Sequence, residues 1–242
     1  MSKIKNYLLG YNNLYIMQDE NMFNFSLDSV LLPNFVTINK RVTKIMDIGC
    51  GNAPIPLILS TFSNAKIYGV EIQKEVADLA KESVKINNLE NRIEIINKDI
   101  NEYYKELESD QFDIITCNPP YFKYNENSKL NISDYKKIAR HEIMLDLNKL
   151  FIISKKLLKN NGKIAIVHRP ERLSDIILEM KANNIEPKKI RFVHPREDED
   201  ANILLIEGTK NGKPGIKILP PIYSHEKDGN YTKQISKYFE KR

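Results

Sequence analysis

A strand that ends in a glycine turn sets the fold that this chain can adopt. Residues 43–48 read as a strand, residues 47–51 have the sequence Asp-Ile-Gly-Cys-Gly, and residues 54–62 continue with helical spacing. This order of strand, tight turn and helix is typical of a βαβ unit. A chain that repeats it forms a parallel sheet with right-handed crossovers and helices on both faces.

The same pattern recurs along the rest of the chain. Six further strands are predicted, at 66–70, 92–96, 112–116, 163–168, 189–194 and 202–207. Further helices are predicted at 74–87, 145–158 and 170–182. Seven strands that alternate with helices define an α/β fold, in which ligands bind at the carboxyl ends of the parallel strands.

The chain of 242 residues is long enough for one main α/β domain, which we place at 41–242. Residues 1–40 carry Tyr, Phe and Leu without a clear period, so we interpret them as a short extension that faces the substrate or covers the site as a lid. Residues 122–142 are polar and form a longer connection than most in compact domains, which is typical of a functional loop.

Composition excludes several classes of protein. The apolar runs, such as 203–206, are too short to span a bilayer, and the N-terminus lacks the pattern of a secretory signal, so we expect a cytoplasmic protein. Two cysteines, Cys50 and Cys117, exclude a disulfide scaffold and a four-sulfur metal site. The net charge of +5 is compatible with a polyanionic partner, although an A+T-rich genome explains the many lysines equally well.

Candidate ligand-binding residues stand at the predicted ends of the first three strands. Gly49 and Gly51 let the backbone turn tightly and come close to a ligand at a helix N-terminus. Glu71 suits the two ribose hydroxyls of an adenosine cofactor, and Asp99 suits an adenine amino group. No phosphate-binding Lys-Ser or Lys-Thr follows the turn, which argues against a P-loop. Each acid alone is typical of a solvated strand end, but their joint placement favours a cofactor site.

The most specific motif is Asn118-Pro119-Pro120-Tyr121, directly after the fourth strand. The two prolines fix φ and hold the carbonyl groups outward. The side-chain oxygen of Asn118 and the carbonyl of Pro119 are then suitable acceptors for the hydrogens of an exocyclic amine, and Tyr121 can stack on a planar base. Such acceptors favour the pyramidal nitrogen that can attack a methyl group. A rigid turn at the end of a buried strand is the alternative interpretation.

Three more segments accompany these motifs: 26–32 (Ser-Leu-Asp-Ser-Val-Leu-Leu), 169–173 (Arg-Pro-Glu-Arg-Leu) and 193–196 (Val-His-Pro-Arg). With them, the chain resembles over nearly its whole length the class I, Rossmann-like methyltransferases of the amino-nitrogen branch. Within that branch it is similar to the bacterial tRNA adenine-N6-methyltransferases that act on valine tRNA at position 37, just 3′ of the anticodon. The resemblance implies a seven-stranded sheet, mostly parallel with one antiparallel strand.

The resemblance also implies a role for each motif residue. Asn118 and Pro119 hold the amine, Tyr121 stacks on the base, and Pro120 completes the catalytic motif. Ala53 stands where glycine is commoner. The residues implied to bind the cofactor S-adenosylmethionine, and its product S-adenosylhomocysteine, are Asp28, Asp47, Gly49, Gly51, Glu71, Ile72, Asp99, Ile100 and Asn118. Asp28 is expected to help close this site.

The implied reaction is direct in-line transfer to a flipped-out base, which requires no metal and no covalent enzyme intermediate. Cys117 lies beside the motif, but no basic neighbour stands ready to activate it as a nucleophile. We expect tRNA as the partner and no membrane association. The sequence leaves the oligomeric state open and favours a monomer. Candidate contacts to RNA phosphates are Lys136, Lys137, Arg140, His141 and Arg196, and a solvated surface is the alternative for each of them.

Other functions remain open at this point. The amide nitrogen of a protein glutamine side chain needs the same acceptors as an adenine amine, so Asn-Pro-Pro-Tyr does not separate the two substrates. A cofactor-binding RNA assembly factor without catalysis is a second alternative, which the intact motif argues against. DNA adenine methylation is a third, although no added target-recognition domain is visible in the sequence.

Overall fold

The computed structural model describes residues 3–8, 11, 13–19, 26–119 and 146–239, and all the elements below belong to these residues. The strands are β1 (Lys3–Tyr7), β2 (Tyr15–Asp19), β3 (Lys44–Ile48), β4 (Lys66–Glu71), β5 (Ile93–Asn97), β6 (Phe112–Cys117), β7 (Leu158–His168), β8 (Ile185–His194), β9 (Ile203–Lys210), β10 (Lys217–Ile218) and β11 (Ile222–Tyr223). The helices are α1 (Leu27–Phe35), α2 (Pro54–Phe62), α3 (Lys74–Ile86), α4 (Ile100–Glu106), α5 (Leu147–Leu157), α6 (Leu173–Ala182) and α7 (Lys233–Phe239). None of these helices is long and apolar enough to cross a membrane.

Seven strands form the body of the central sheet, in the order β8-β9-β7-β6-β3-β4-β5, and the short β10 and β11 both pair with β8. Neighbouring strands are parallel, except that β9 runs antiparallel to both β7 and β8. The predicted α/β sheet, mostly parallel with one antiparallel strand, is confirmed.

Helices cover both faces of this sheet. Leu31 of α1 belongs to the core on one face, and Phe151 of α5 belongs to the core on the other. The neighbouring residues Ile114 and Ile115 of β6 are fully buried and point to opposite cores, as the two-residue period of a strand requires. Burial on both faces explains why the central parallel strands are rich in apolar residues.

The register of the sheet brings the strand ends to one level. Ile48, the last residue of β3, lies opposite Val70 of β4 and Cys117 of β6. Glu71, the last residue of β4, lies opposite Asn97 of β5. The segments that follow these strands therefore open at the same edge of the sheet, where ligands of such folds bind.

The N-terminal residues contain more regular structure than the sequence predicted. β1 and β2 form an antiparallel hairpin, and β2 lies along α3, where Met17 N donates to Ser83 Oγ and Tyr15 N donates to Asn87 Oδ1, each over 2.9 Å. Helix α1 was not predicted, because it is buried almost all round and has no polar stripe to reveal its period. Its buried residues are Ser29, Val30, Leu31, Leu32, Pro33 and Phe35.

Other boundaries differ for local reasons. β7 begins at Leu158, directly after α5, where Asn161 has a left-handed φ of 62° and the register with β6 shifts between Phe112 and Ile114. The helix predicted at 170–182 begins with a 3₁₀ turn at Pro170–Arg172. The short elements α4, β10, β11 and α7 were not predicted, because two to seven residues are too few to show a period.

Candidate active site at the strand ends

The turn between β3 and α2 leaves open space at its surface. Gly49 and Gly51 have φ values of 70° and 56°, and a Cβ atom added to either would meet no described atom within 4 Å. The turn is held by Gly49 N and Cys50 N, which donate to the Val70 carbonyl over 2.9 and 3.1 Å. Ala53 adopts the same left-handed geometry, with a φ of 74°, so the turn forms without a third glycine.

Glu71 closes β4 beside this turn. Its side chain is only 6% exposed, and Oε2 accepts from Gly51 N over 3.0 Å while Oε1 accepts from Gln73 N over 2.9 Å. Each carboxylate oxygen has a second lone pair after these bonds. The carboxylate is thus held at the end of β4 with capacity left to accept from the hydroxyls of a ligand.

Asp47 lies beneath the turn and is completely buried. Its Oδ1 accepts from Thr116 Oγ1 over 2.6 Å, whereas Oδ2 has no hydrogen-bond partner among the described residues. Burial raises the pKa of Asp47 to about 7, the Thr116 bond opposes this shift, and the Glu71 carboxylate adds to it. A cationic group placed over the turn would favour the ionised form of this carboxylate and lower its pKa again.

Asp99 occupies the end of β5 and caps α4. Its Oδ1 accepts from both the backbone N and the side-chain Nδ2 of Asn101, over 2.8 and 3.0 Å, whereas Oδ2 accepts no hydrogen bond from the described residues. Asn97 joins this strand end to the previous one, because its Nδ2 donates to the carbonyls of Glu71 and Ile72 over 2.9 and 3.0 Å. The side chain of Ile100 packs into the core behind Asp99.

The motif after β6 is described only in its first half. Asn118 is partly buried and Pro119 is buried, while Pro120 and Tyr121 lie outside the described residues. Asn118 Nδ2 is directed to Ser29 Oγ, at 3.5 Å, and Asn118 Oδ1 has no partner among the described residues. Helix α1, which carries the predicted Asp28, therefore reaches the motif. Sequence reasoning missed Ser29, although it stands next to Asp28.

Most of the candidate RNA contacts lie outside the described residues, and so does the whole loop 122–142. These contacts are Lys136, Lys137, Arg140 and His141. Arg196 is described and follows β8 at the same edge of the sheet as the other strand ends. Its Nη1 donates to Glu199 Oε1 over 2.6 Å, and its side chain remains 44% exposed. Part of the Arg196 charge is thus balanced within the chain.

Neither cysteine has the surroundings of a nucleophile. Cys50 and Cys117 are both free and buried. Burial raises the pKa of each thiol well above its ordinary value, and the Asp47 carboxylate raises it further. Both thiols are therefore protonated near neutral pH, which agrees with the exclusion of thiolate chemistry at Cys117.

These residues fit an adenosine cofactor with a cationic amino-acid part. The glycine turn provides space, Glu71 and Asp99 provide acceptors at successive strand ends, and the free oxygen of Asp47 suits a positive group. Residues 39–213 match the family model described as a methyltransferase domain, so the chain belongs to this methyltransferase family.

Two curated relatives come from Parabacteroides distasonis and Aliivibrio salmonicida, and both are named tRNA1(Val) (adenine(37)-N6)-methyltransferase. Each is 29% identical to this chain; the matches cover 81% and 88% of the chain and 81% and 89% of the relatives. A predicted O-methyltransferase from Agrobacterium tumefaciens shares the fold, with a TM-score of 0.70 and 20% sequence identity. The match covers 88% of this chain and 95% of the Agrobacterium chain. A geranyl diphosphate methyltransferase in complex with S-adenosylmethionine also shares the fold, with a TM-score of 0.57 and 11% sequence identity. The match covers 75% of this chain and 84% of that methyltransferase chain.

Proposed function

We propose that this methyltransferase transfers the methyl group of S-adenosylmethionine to the exocyclic N6 of an adenosine in tRNA, namely the one at position 37 of a valine tRNA. The observation that carries the proposal is the Asn118 side chain: its Oδ1 has no hydrogen-bond partner among the described residues, and its Nδ2 is directed to Ser29 Oγ. An amine that presents two hydrogens is matched by this oxygen and the carbonyl of Pro119. The names of the two relatives support the choice of tRNA, adenine and position.

The proposed chemistry depends on orientation. Asn118 Oδ1 and the Pro119 carbonyl accept the two amine hydrogens, which favours a pyramidal nitrogen with its lone pair available for attack. S-adenosylmethionine, when bound, supplies a methyl group on a positively charged sulfur. Because the acceptors lie on a stiff segment, they are positioned before the substrate arrives, and little reorganisation is needed during transfer. The displaced proton leaves the amine for solvent after the new C–N bond has formed.

The cofactor-binding roles follow the strand ends. Glu71 would accept from the ribose hydroxyls, Asp99 from the adenine amino group, and Asp47 would pair with the α-ammonium group. Asp28 would close the site from α1, whose first turn lies beside Asn118 through Ser29. On the RNA side, Arg196 would contact a phosphate of the tRNA, with Lys136, Lys137, Arg140 and His141 as further predicted contacts.

The proposal is tested by methyl transfer from radiolabelled S-adenosylmethionine to unmodified total tRNA, to protein extract and to DNA in parallel. Digestion of labelled tRNA to nucleosides should release the label as N6-methyladenosine. Label found only in protein would replace this function with glutamine methylation. An absence of label in all three samples would contradict a catalytic role.

A further inference from the structure

The free edge of β2 is bound by side chains. One edge of β2 pairs with β1, and on the other edge four hydrogen bonds meet the backbone of Tyr15 and Met17. Tyr15 N donates to Asn87 Oδ1 over 2.9 Å, and Asn87 Nδ2 donates to the Tyr15 carbonyl over 2.6 Å. Met17 N donates to Ser83 Oγ over 2.9 Å, and the Met17 carbonyl accepts from Asn52 Nδ2 over 2.8 Å. The hairpin is therefore fixed through its backbone.

Three of these bonds lead to α3, but the fourth leads to the glycine turn. Asn52 stands between Gly51 and Ala53, whose φ values of 56° and 74° are both left-handed. Its side chain is 8% exposed. A carbonyl oxygen only accepts, so the contact with Met17 decides which end of the Asn52 amide faces the hairpin. Asn52 thus joins the turn to a strand that precedes the matched methyltransferase domain, residues 39–213.

The turn needs such contacts to keep its shape. A left-handed backbone is unfavourable for alanine and persists only where the surrounding structure holds it. From the sheet, Glu71 Oε2 holds Gly51 N over 3.0 Å, and from the hairpin the Met17 carbonyl holds the Asn52 side chain. Because Glu71 is also the proposed acceptor for the ribose hydroxyls, a shift of the turn would disturb that acceptor too.

We propose that Asn52 is a positioning residue for cofactor binding: its bond to the Met17 carbonyl holds the glycine turn in the conformation that receives S-adenosylmethionine. The inference rests on the proposed cofactor site. It also gives the N-terminal hairpin a role, because β2 supplies a contact for the turn that the matched domain lacks.

The test measures the affinity for S-adenosylmethionine by calorimetry in Asn52→Ala and Asn52→Leu. Leucine has about the volume of asparagine but no donor, so it separates the lost hydrogen bond from lost packing. Loss of one such bond weakens an interaction by roughly two- to twelvefold, and we expect about fivefold weaker binding in both variants. Wild-type affinity in either variant would overturn the proposal.

Asn183→Ala is the matched control. Asn183 is 6% exposed and follows α6, and its Nδ2 donates to the Glu179 carbonyl over 2.9 Å. It is thus a buried amide that bonds to a backbone carbonyl, as Asn52 does, but it lies just before β8 begins, away from the glycine turn. Its loss should lower the stability of the fold and leave the cofactor affinity unchanged. A fivefold loss of affinity here as well would indicate a general structural effect and would overturn the proposal.

Hydrogen exchange gives a readout that loss of stability alone does not produce. Coupling between two sites is reciprocal, so a hairpin that favours cofactor binding must itself be stabilised by the cofactor. Saturating S-adenosylmethionine should slow amide exchange at residues 15–18 about fivefold in wild type and in Asn183→Ala, but not in Asn52→Leu. Equal protection in Asn52→Leu would contradict the role of Asn52.

These measurements need no tRNA, so they separate the inference from the proposed substrate. Wild-type protein that binds S-adenosylmethionine with this pattern but methylates no tRNA would refute the proposed substrate alone. Wild-type protein that binds no S-adenosylmethionine would overturn both.

Discussion

The hydroxyl of Thr116 donates to Asp47 Oδ1 over 2.6 Å and joins β6, the strand that Asn118 follows, to β3, the strand that precedes the glycine turn. Asn118 directly follows β6, two residues after Thr116. Both Thr116 and Asp47 are fully buried. The carboxylate beneath the glycine turn and the amide proposed to hold the amine are therefore positioned by adjacent, buried strands.

Asp47 gives the apo protein a pH-dependent stability. Its pKa is about 7 in the folded protein and 3.8 ordinarily. Between these values the folded state binds more protons than the unfolded state, so the contribution of Asp47 to stability falls as pH rises from about 4 to about 7. Urea unfolding of wild type and Asp47→Asn measures this effect: the stability of wild type relative to the variant should decrease over that range. A constant difference would contradict it.

The space above the glycine turn can be filled with one methyl group. Gly51→Ala places a Cβ there and should weaken cofactor binding at least about tenfold, besides a backbone cost of about 1 kcal/mol for left-handed alanine. Gly229→Ala is the matched control, because Gly229 also has a positive φ, 87°, and no described atom within 4 Å of an added Cβ. Calorimetric titration with S-adenosylmethionine should detect a loss only at Gly51. Similar losses in both variants would indicate strain instead.

Glu71→Ala should weaken cofactor binding by about 1.5–3 kcal/mol, since it removes charge-assisted hydrogen bonds to the ligand. Glu75→Ala removes the same charge from the exposed first turn of α3 and should leave the affinity unchanged. Isothermal titration calorimetry with S-adenosylmethionine compares the cofactor affinities of the two variants. Unchanged affinity in Glu71→Ala would remove this residue from the site.

The sequence predicted the sheet well because its central strands are apolar and alternate with amphipathic helices. It predicted the strand-end residues for the same reason: Gly51, Glu71 and Asn118 stand where buried segments stop. Ser29 escaped prediction because the approach of α1 to β6 depends on tertiary packing. The free oxygen of Asp47 was equally invisible, since only coordinates show which of its atoms have partners.

Asn118→Ala should slow methyl transfer at least about 100-fold, because it removes an acceptor aimed at the reacting amine. Cofactor affinity should change little, since Asp47, Glu71 and Asp99 are the side chains that we propose hold the cofactor. The control is Asn211→Ala, whose amide bonds to Asn160 Oδ1 at the opposite edge of the sheet. Rapid-quench single turnovers give the rates. Full activity of the Asn118 variant would refute the proposed role of the motif.

The most direct test of the central claim is to locate the methyl group in a single RNA. An unmodified valine tRNA transcript is incubated with the enzyme and labelled S-adenosylmethionine, beside a transcript that carries guanosine at position 37, the position named for the relatives. We predict N6-methyladenosine at position 37 of the first transcript and no label in the second. Equal labelling of both transcripts would contradict the proposed target, and label in neither would contradict tRNA as the substrate.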